Sequence, residues 1–158
     1  MNRIVIFFAI AIFSVFLGSQ ITEGLLLVPY WKSLTSTKFY EYYSEFGPII
    51  NTFYSILTII AILIPINLSV YSYIKKLPSL KYSIISSIFS LLILVIFYVY
   101  FKDTNQQFFN TSFTVNELKS VLIIWEYLHW LRIFFETIAL TFLILALAQL
   151  SPKNYIKS

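Results

Sequence analysis

One apolar segment near the C-terminal end of the chain carries most of the residues whose types could do chemistry. Within the run from Val121 to Leu150 lie Glu126, His129, Arg132 and Glu136, and His129 is the only histidine in the sequence. The run has the length and composition of a membrane-spanning helix. Because charged side chains are costly inside a membrane, those found there are candidates for a functional site.

The spacing of these residues places them on one face of a helix. At about 100° per residue, His129, Arg132 and Glu136 lie within about 60° of one another, with Glu126 at the edge of the same face. In a dry pocket, His129 could act as an acid or base while Arg132 stabilises an oxyanion or enolate. We therefore take Glu126, His129 and Arg132 as the candidate catalytic residues.

A metal site is an alternative, but these residues contain only one of the two ligand motifs that it needs. Glu126 and His129 form one half of the paired Glu-x-x-His motif of four-helix di-iron sites. With no second histidine, a di-iron site would need an unusual ligand set or a dimer. A mononuclear iron site formed by Glu23, Glu126 and His129 is a further alternative. We assign no metal and no particular cofactor, and motifs for Ser-His-Asp catalysis, phosphate-binding loops and zinc are absent from the sequence.

The same charges also have a purely structural interpretation. Arg132 and Glu136 are four residues apart and can pair within the helix. Glu23 or Glu126 could neutralise Arg132 across helices, and His129 could hydrogen-bond a serine. In this case the protein is not an enzyme but an accessory subunit or a small-molecule binder. A transporter is a weaker alternative, because four helices without an inverted repeat would need dimerisation, so a homo-oligomer stays open.

The composition predicts a protein of the lipid bilayer. Of 158 residues, 59% are apolar, 20% aromatic and only 11% charged, which is too few to cover a soluble globule of this size. The net charge of +4 does not indicate a nucleic-acid partner, because the basic residues form no stripe on a soluble face. We expect a single all-α domain whose partners are the bilayer and a small apolar or aromatic ligand.

Apolar runs of spanning length predict a bundle of four transmembrane helices. The approximate spans are residues 4–28, 48–73, 82–101 and 121–150. The first run also fits a secretory signal with small residues at Gly18 and Ser19, but we favour an uncleaved helix because the apolar character resumes at Leu25. Ser14, Gly18 and Thr22 recur at a spacing of four and predict a face for close helix packing.

The segments between the spans are also informative. Residues 30–46 mix aromatic and charged side chains, which predicts a short amphipathic helix at the membrane interface, or a lid. Gly47 and Pro48 should open the second span. Residues 102–119 are polar and predict a loop, with a short helix capped near Thr114 by a capping box.

The distribution of Lys and Arg predicts the orientation in the membrane. Six basic residues lie on one side in short segments, and four lie on the other: Arg3, Lys75, Lys76, Lys81, Lys153 and Lys157 against Lys32, Lys38, Lys102 and Lys119. We therefore expect a bacterial inner or plasma membrane protein with both termini in the cytoplasm.

Several polar side chains should occupy one layer in the outer third of the bundle. With a rise of about 1.5 Å per residue, Glu23, Asn51, Glu126 and His129 lie about 5 to 12 Å inside the outer boundary. We expect an outward-facing pocket there. Its expected ligand-binding residues are Glu23, Asn51, Asn110, Trp125 and Glu136.

Some residues occur in a recognisable order along the chain. They are Glu23 and Gly24 followed by Pro29 near the end of the first helix, Phe39 in the aromatic stretch, Asn110 in the last loop, and Trp125, His129 and Arg132 at the start of the last helix. This order resembles the anthrone-oxygenase-like family of small four-helix membrane proteins. The chain departs from the family pattern at Phe108 and Phe109, where we would expect a proline shortly before Asn110. The resemblance implies an oxidoreductase that oxidises an aromatic, anthrone-like substrate with oxygen near Asn110, His129 and Arg132.

Overall fold

The computed structural model describes residues 3–150, and every regular element in that part of the chain is a helix. Four long helices form an up-and-down bundle: α1 (Arg3–Ser33), α2 (Ser36–Ile74), α3 (Leu80–Phe109) and α4 (Val115–Ala148). Each of them is long and apolar enough to cross a membrane. The predicted all-α architecture with four such helices is confirmed.

The helices are longer than the predicted spans because their polar and aromatic flanks continue them. Residues 36–46, where we predicted a short interfacial segment, form the first turns of α2, which begins at Ser36 rather than at Pro48. Gly47 lies inside this helix. The Tyr43 ring packs over it, and a Cβ at position 47 would come within 2.9 Å of that ring. Residues 102–109, which we expected in a loop, continue α3 to its end.

Local hydrogen bonds explain where the helices begin and end. The capping box at Thr114 is confirmed: its side chain accepts from the backbone N–H of Glu117, whose carboxylate accepts in return from the backbone N–H of Thr114. It starts α4 itself rather than a separate short helix. At the end of α3, Asn110 is the C-cap residue, and Thr111 follows in the left-handed conformation with φ of 52°.

The two ends of the bundle contain different cores. We call the end with residues 34–35 and 110–114 the distal end, and the end with residues 75–79 the proximal end. An aliphatic and aromatic core fills the proximal half: Phe13, Phe16, Ala61, Leu68, Ile93, Ala139, Ala146, Leu143 and Leu147. An aromatic cluster fills the distal end and includes Trp31, Phe39, Tyr43, Phe101, Phe108 and Trp125. These cores bound the polar layer between them.

Small polar residues let the helices approach closely. The close approach does not occur at the face of α1 that we predicted from Ser14, Gly18 and Thr22. The Ser86 hydroxyl of α3 donates to the carbonyl of Ala139 on α4 at 2.7 Å, and Ser69 of α2 is hydrogen-bonded to Ser87 of α3. The predicted packing face of α1 is exposed, and a Cβ added to Gly18 would have nothing within 4 Å. Gly24 is the glycine at which α1 approaches α4.

Candidate functional site

A cavity of about 150 Å³ lies among all four helices between the two cores. Its polar wall comprises Glu23 of α1, Asn51, Tyr54, Ser55 and Thr58 of α2, Asn105 of α3, and Arg132 of α4. Apolar and aromatic side chains, among them Trp31, Tyr43 and Trp125, supply much of the remaining wall. An apolar cavity of this volume accommodates a benzene ring. The space is therefore suited to one six-membered ring.

Two segments of π-helix border the cavity. One is Glu23–Leu27 in α1, and it contributes Glu23 to the wall. The other is Phe97–Phe101 in α3, and it contributes Phe97 and Tyr98. A π-helical turn holds an extra residue and redirects the side chains beside it, which is why such turns are frequent at functional sites.

Arg132 is the buried cation of the cavity. Its side chain is largely shielded, with 7% of the residue exposed, and its guanidinium lies 4.8 Å from the centre of the Phe101 ring. Among the described residues, its Nε has no hydrogen-bond partner, and no carboxylate lies within 4.0 Å of its guanidinium. The intrahelical pair with Glu136, which the structural interpretation offered, is not formed.

Glu136 is fully buried and does not line the cavity. Both of its carboxyl oxygens lack a hydrogen-bond partner among the described residues. Within residues 3–150, neither Glu136 nor Glu23 forms an ion pair with Arg132.

His129 lies behind the wall of the cavity rather than in it. Since a carbonyl oxygen can only accept, Nε2 of His129 donates to the backbone carbonyl of Gln20 at 2.9 Å. The imidazole stacks on the Trp125 ring, with centroids 5.0 Å apart, and its Nδ1 lies 3.9 Å from a carboxyl oxygen of Glu23. His129 therefore contacts two residues that do face the cavity.

The remaining predicted site residues divide between the cavity and the surface. Asn51 lines the cavity at an exposed position on α2. Glu126 points elsewhere and pairs with Lys32 of α1 at 2.6 Å. Asn110 is exposed at the distal turn, where its side-chain oxygen accepts from Gln106. The structure thus brings Glu23, Asn51, Trp125 and Arg132 together around the cavity, with His129 behind them.

Three polar residues of the site were not expected from the sequence. Asn105 accepts a hydrogen bond from the indole of Trp125 at 3.0 Å, and Tyr54 donates to the carbonyl of Ser19. Gln20 is fully buried beside His129, and its side-chain amide has no hydrogen-bond partner in the part of the chain that the structure describes. A glutamine inside an apolar run was a usable signal for Gln20, whereas Asn105 lay in a stretch that we interpreted as a loop.

A second, wider groove of about 660 Å³ opens at the distal end between α1, α2 and α4. Lys32 and Lys119 lie along it, together with the hydroxyls of the turn between α1 and α2. Trp31 lines both this groove and the cavity, and only 2% of the residue is exposed. Its ring separates the two spaces.

The two residues of the Glu-x-x-His half-motif are separated in the structure, because Glu126 turns to Lys32 and His129 to Gln20. Within residues 3–150, no group of three or more His, Cys, Asp or Glu side chains is arranged to hold a metal ion. No protein-family model, curated protein or solved structure matches the chain.

Proposed function

We propose that this chain is an integral membrane protein that binds a small apolar or aromatic molecule with one polar group in the cavity beside Arg132. The observation that carries this proposal is a buried guanidinium that faces a ring-sized space and has no carboxylate of residues 3–150 within 4.0 Å. A buried charge without a close partner is costly. A ligand whose polar group reaches Arg132 provides that partner.

The chemistry of the walls favours an aromatic ring with a hydroxyl group. Trp31, Tyr43 and Trp125 offer ring edges and faces for an aromatic ligand. A hydroxyl oxygen can accept from the guanidinium of Arg132 and donate to the carboxyl of Glu23. The ligand class that uses both groups is a single-ring phenol.

An oxidoreductase that acts on such a ring is the second candidate function. Arg132 can stabilise a phenolate or enolate oxygen, and Glu23 can accept the proton. The resemblance to the anthrone-oxygenase-like family points to oxidation by oxygen at this place. The three rings of an anthrone exceed the space of one ring, so such a substrate would extend out of the cavity. Glu126 has no part in this proposal because it pairs with Lys32.

We also propose that the proximal end of the bundle faces the cytoplasm. The excess of basic residues at the termini and in residues 75–81 supports a cytoplasmic proximal end in a bacterial inner or plasma membrane. The cavity adjoins the distal aromatic cluster. It would then lie in the outer half of the bilayer.

Tryptophan fluorescence of the purified protein can measure ligand binding directly, because Trp31 and Trp125 line the cavity. In a Trp130→Phe background, phenol should quench the emission at lower concentration than anisole, whose methyl ether cannot donate to Glu23. Arg132→Gln should weaken phenol binding about ten- to hundredfold, which corresponds to one charge-assisted hydrogen bond. Arg132→Lys should retain part of the affinity.

The matched control is Lys119→Gln, which removes one positive charge from the same helix outside the cavity and should leave phenol binding unchanged. Circular dichroism of each variant monitors the fold. Equal binding of phenol to Arg132→Gln and to the parent protein would contradict the proposal. So would the absence of both phenol binding and a co-purifying ring compound in mass spectrometry. Oxygen consumption by the phenol-bound protein separates the enzyme from the binder.

A further inference from the structure

The distal end of the cavity is closed by a layer of aromatic rings in edge-to-face contact. The Trp31 ring meets the Trp125 ring edge to face at a centroid distance of 5.4 Å, and Phe101 meets Trp125 at 5.0 Å. Tyr43 and Phe108 extend this layer across α2 and α3. A ligand in the water at the distal surface therefore faces a layer of buried rings rather than an entrance.

The proximal side is closed by the apolar core. Phe16 of α1, Ala61 of α2 and Ile93 of α3 are fully buried there, as is Ala139 of α4. Interiors of this kind are close-packed. No passage from the proximal side reaches the cavity through these described residues.

The side between α2 and α3 is different. The two helices are joined through Ser69 and Ser87 on the proximal side and through Tyr43 and Phe108 at the distal end. Between these levels, α2 does not pack closely against the π-helical segment Phe97–Phe101. The cavity lies at this level, and its lining there includes Ile59 and Tyr98, whose side chains are exposed on the outer surface of the bundle. We call this exposed part of the wall the window.

The residues at the rim of this window are exposed although they line the cavity. The exposed fraction is 57% for Ile59 of α2 and 63% for Tyr98 of α3, and Asn51 is exposed at the distal edge. Counting from the Ser69–Ser87 hydrogen bond, roughly three helical turns along each antiparallel helix bring Ile59 opposite Phe97 and Tyr98. Ile59 and Tyr98 therefore lie at about the same level on the two helices.

The surface around the window is apolar. Ile56 and Ile60 are exposed next to the rim on α2, and Val95 and Val99 are exposed on α3. Exposed apolar patches of this kind face lipid or a partner rather than water. The window therefore opens toward the hydrocarbon of the bilayer.

We propose that the ligand is a membrane-dissolved phenol with an apolar tail, which enters sideways from the bilayer through the window between α2 and α3. This inference rests on the proposed binding function. The ring occupies the single-ring cavity with its hydroxyl between Arg132 and Glu23, while the tail passes between Ile59 and Tyr98 into the lipid. A tail in this position explains why a ring-sized cavity is left open on its lipid side.

Cross-linking across the window tests the route, and the chain has no cysteine of its own to interfere. In proteoliposomes, Ile59→Cys with Tyr98→Cys is joined by a short bismaleimide, and 4-nonylphenol binding is followed by tryptophan fluorescence. The cross-link should slow association and dissociation at least tenfold. The matched control joins the same two helices on the proximal side of the window by a disulfide between Ser69→Cys and Ser87→Cys, whose parent hydroxyls lie 2.9 Å apart, and should change neither rate. The parent protein should bind 4-nonylphenol more tightly than phenol at equal concentration in the membrane.

The outcomes separate this inference from the proposed function. If no phenol binds to the parent protein, the binding function itself is wrong. If 4-nonylphenol binds but the cross-link across the window leaves both rates unchanged, the lateral route is wrong while the binding function stands. If the cross-link leaves both rates unchanged and 4-nonylphenol binds faster to Trp31→Ala than to the parent protein, the entrance is at the distal groove instead.

Discussion

Gly24 is the residue that sets the distance between α1 and α4 at the site. A Cβ at this position would lie 3.1 Å from the imidazole of His129 and 3.2 Å from the indole of Trp130. Such separations are shorter than ordinary van der Waals contacts. The missing side chain of Gly24 therefore lets the imidazole of His129, on α4, reach the carbonyl of Gln20, which lies on α1 with Gly24.

This contact leads to a prediction about stability. Gly24→Ala should lower the free energy of unfolding by about 1 kcal/mol, because the overpacking outweighs the better helix propensity of alanine. Gly24→Leu should lower it further. Unfolding in mixed detergent micelles, followed by circular dichroism, measures both changes.

Gly18 offers the control for this prediction, since it lies on the same helix with open space around it. Gly18→Ala should leave the free energy of unfolding unchanged or raise it by up to about 1 kcal/mol. If alanine at position 24 were tolerated as well as alanine at position 18, the close approach of α1 and α4 would not constrain the structure.

At the scale of the helices, the end of α3 gives Asn110 a structural explanation. Asn110 is the C-cap residue, and the backbone N–H groups of Thr111 and Ser112 donate to the carbonyls of Phe108 and Gln107. This is the hydrogen-bond pattern of a helix that ends with a left-handed residue. Asn110 therefore lies at the end of the helix, where its side-chain oxygen accepts from Gln106, and it does not line the cavity.

Thr111 carries strain in this motif, because a β-branched residue is unfavourable at a φ of 52°. Thr111→Gly should raise the free energy of unfolding by roughly 0.5 to 1 kcal/mol, as glycine adopts this conformation without a steric penalty. Chemical unfolding of the detergent-solubilised protein measures the gain. Thr111→Val keeps the branch and loses the hydroxyl, so it should show no gain. Stabilisation by valine equal to that by glycine would rule out backbone strain as the cause.

At the scale of the whole molecule, both turns at the distal end should share one side of the membrane, and residues 75–79 should lie on the other. Single cysteines can test this because the chain has none. In intact cells, a membrane-impermeant maleimide should label Ser112→Cys and should not label Lys76→Cys. Both variants should react after the cells are opened. Labelling of Lys76→Cys alone in intact cells would reverse the proposed orientation and place the cavity in the inner half of the bilayer.

The four-helix bundle treats the charged residues of α4 in two ways. Glu126 remains near the surface with Lys32, while Arg132 and Glu136 are enclosed by the four helices. Exposed ion pairs contribute little to stability, and buried charges are costly unless they are paired. Of these two buried side chains, Arg132 lines the cavity and Glu136 is buried outside it.

By itself, the sequence determined the four helices and the segment of α4 that carries the charges. Both depend on local information, namely the length of an apolar run and the spacing of residues along one helix. The capping box at Thr114 is local in the same way. The polar and aromatic flanks were interpreted too conservatively, because helices α2 and α3 extend beyond the apolar runs on which the predicted spans were based.

Only the tertiary structure decided which charged residues share a cavity. Glu126 and His129 differ by about 60° around α4, and this rotation is enough to send one toward Lys32 and the other toward Gln20. Asn105 joined the site because α3 continues as a helix and carries it to Trp125. The position of a side chain relative to a neighbouring helix depends on how both helices pack, and that information is not contained in the spacing along either one.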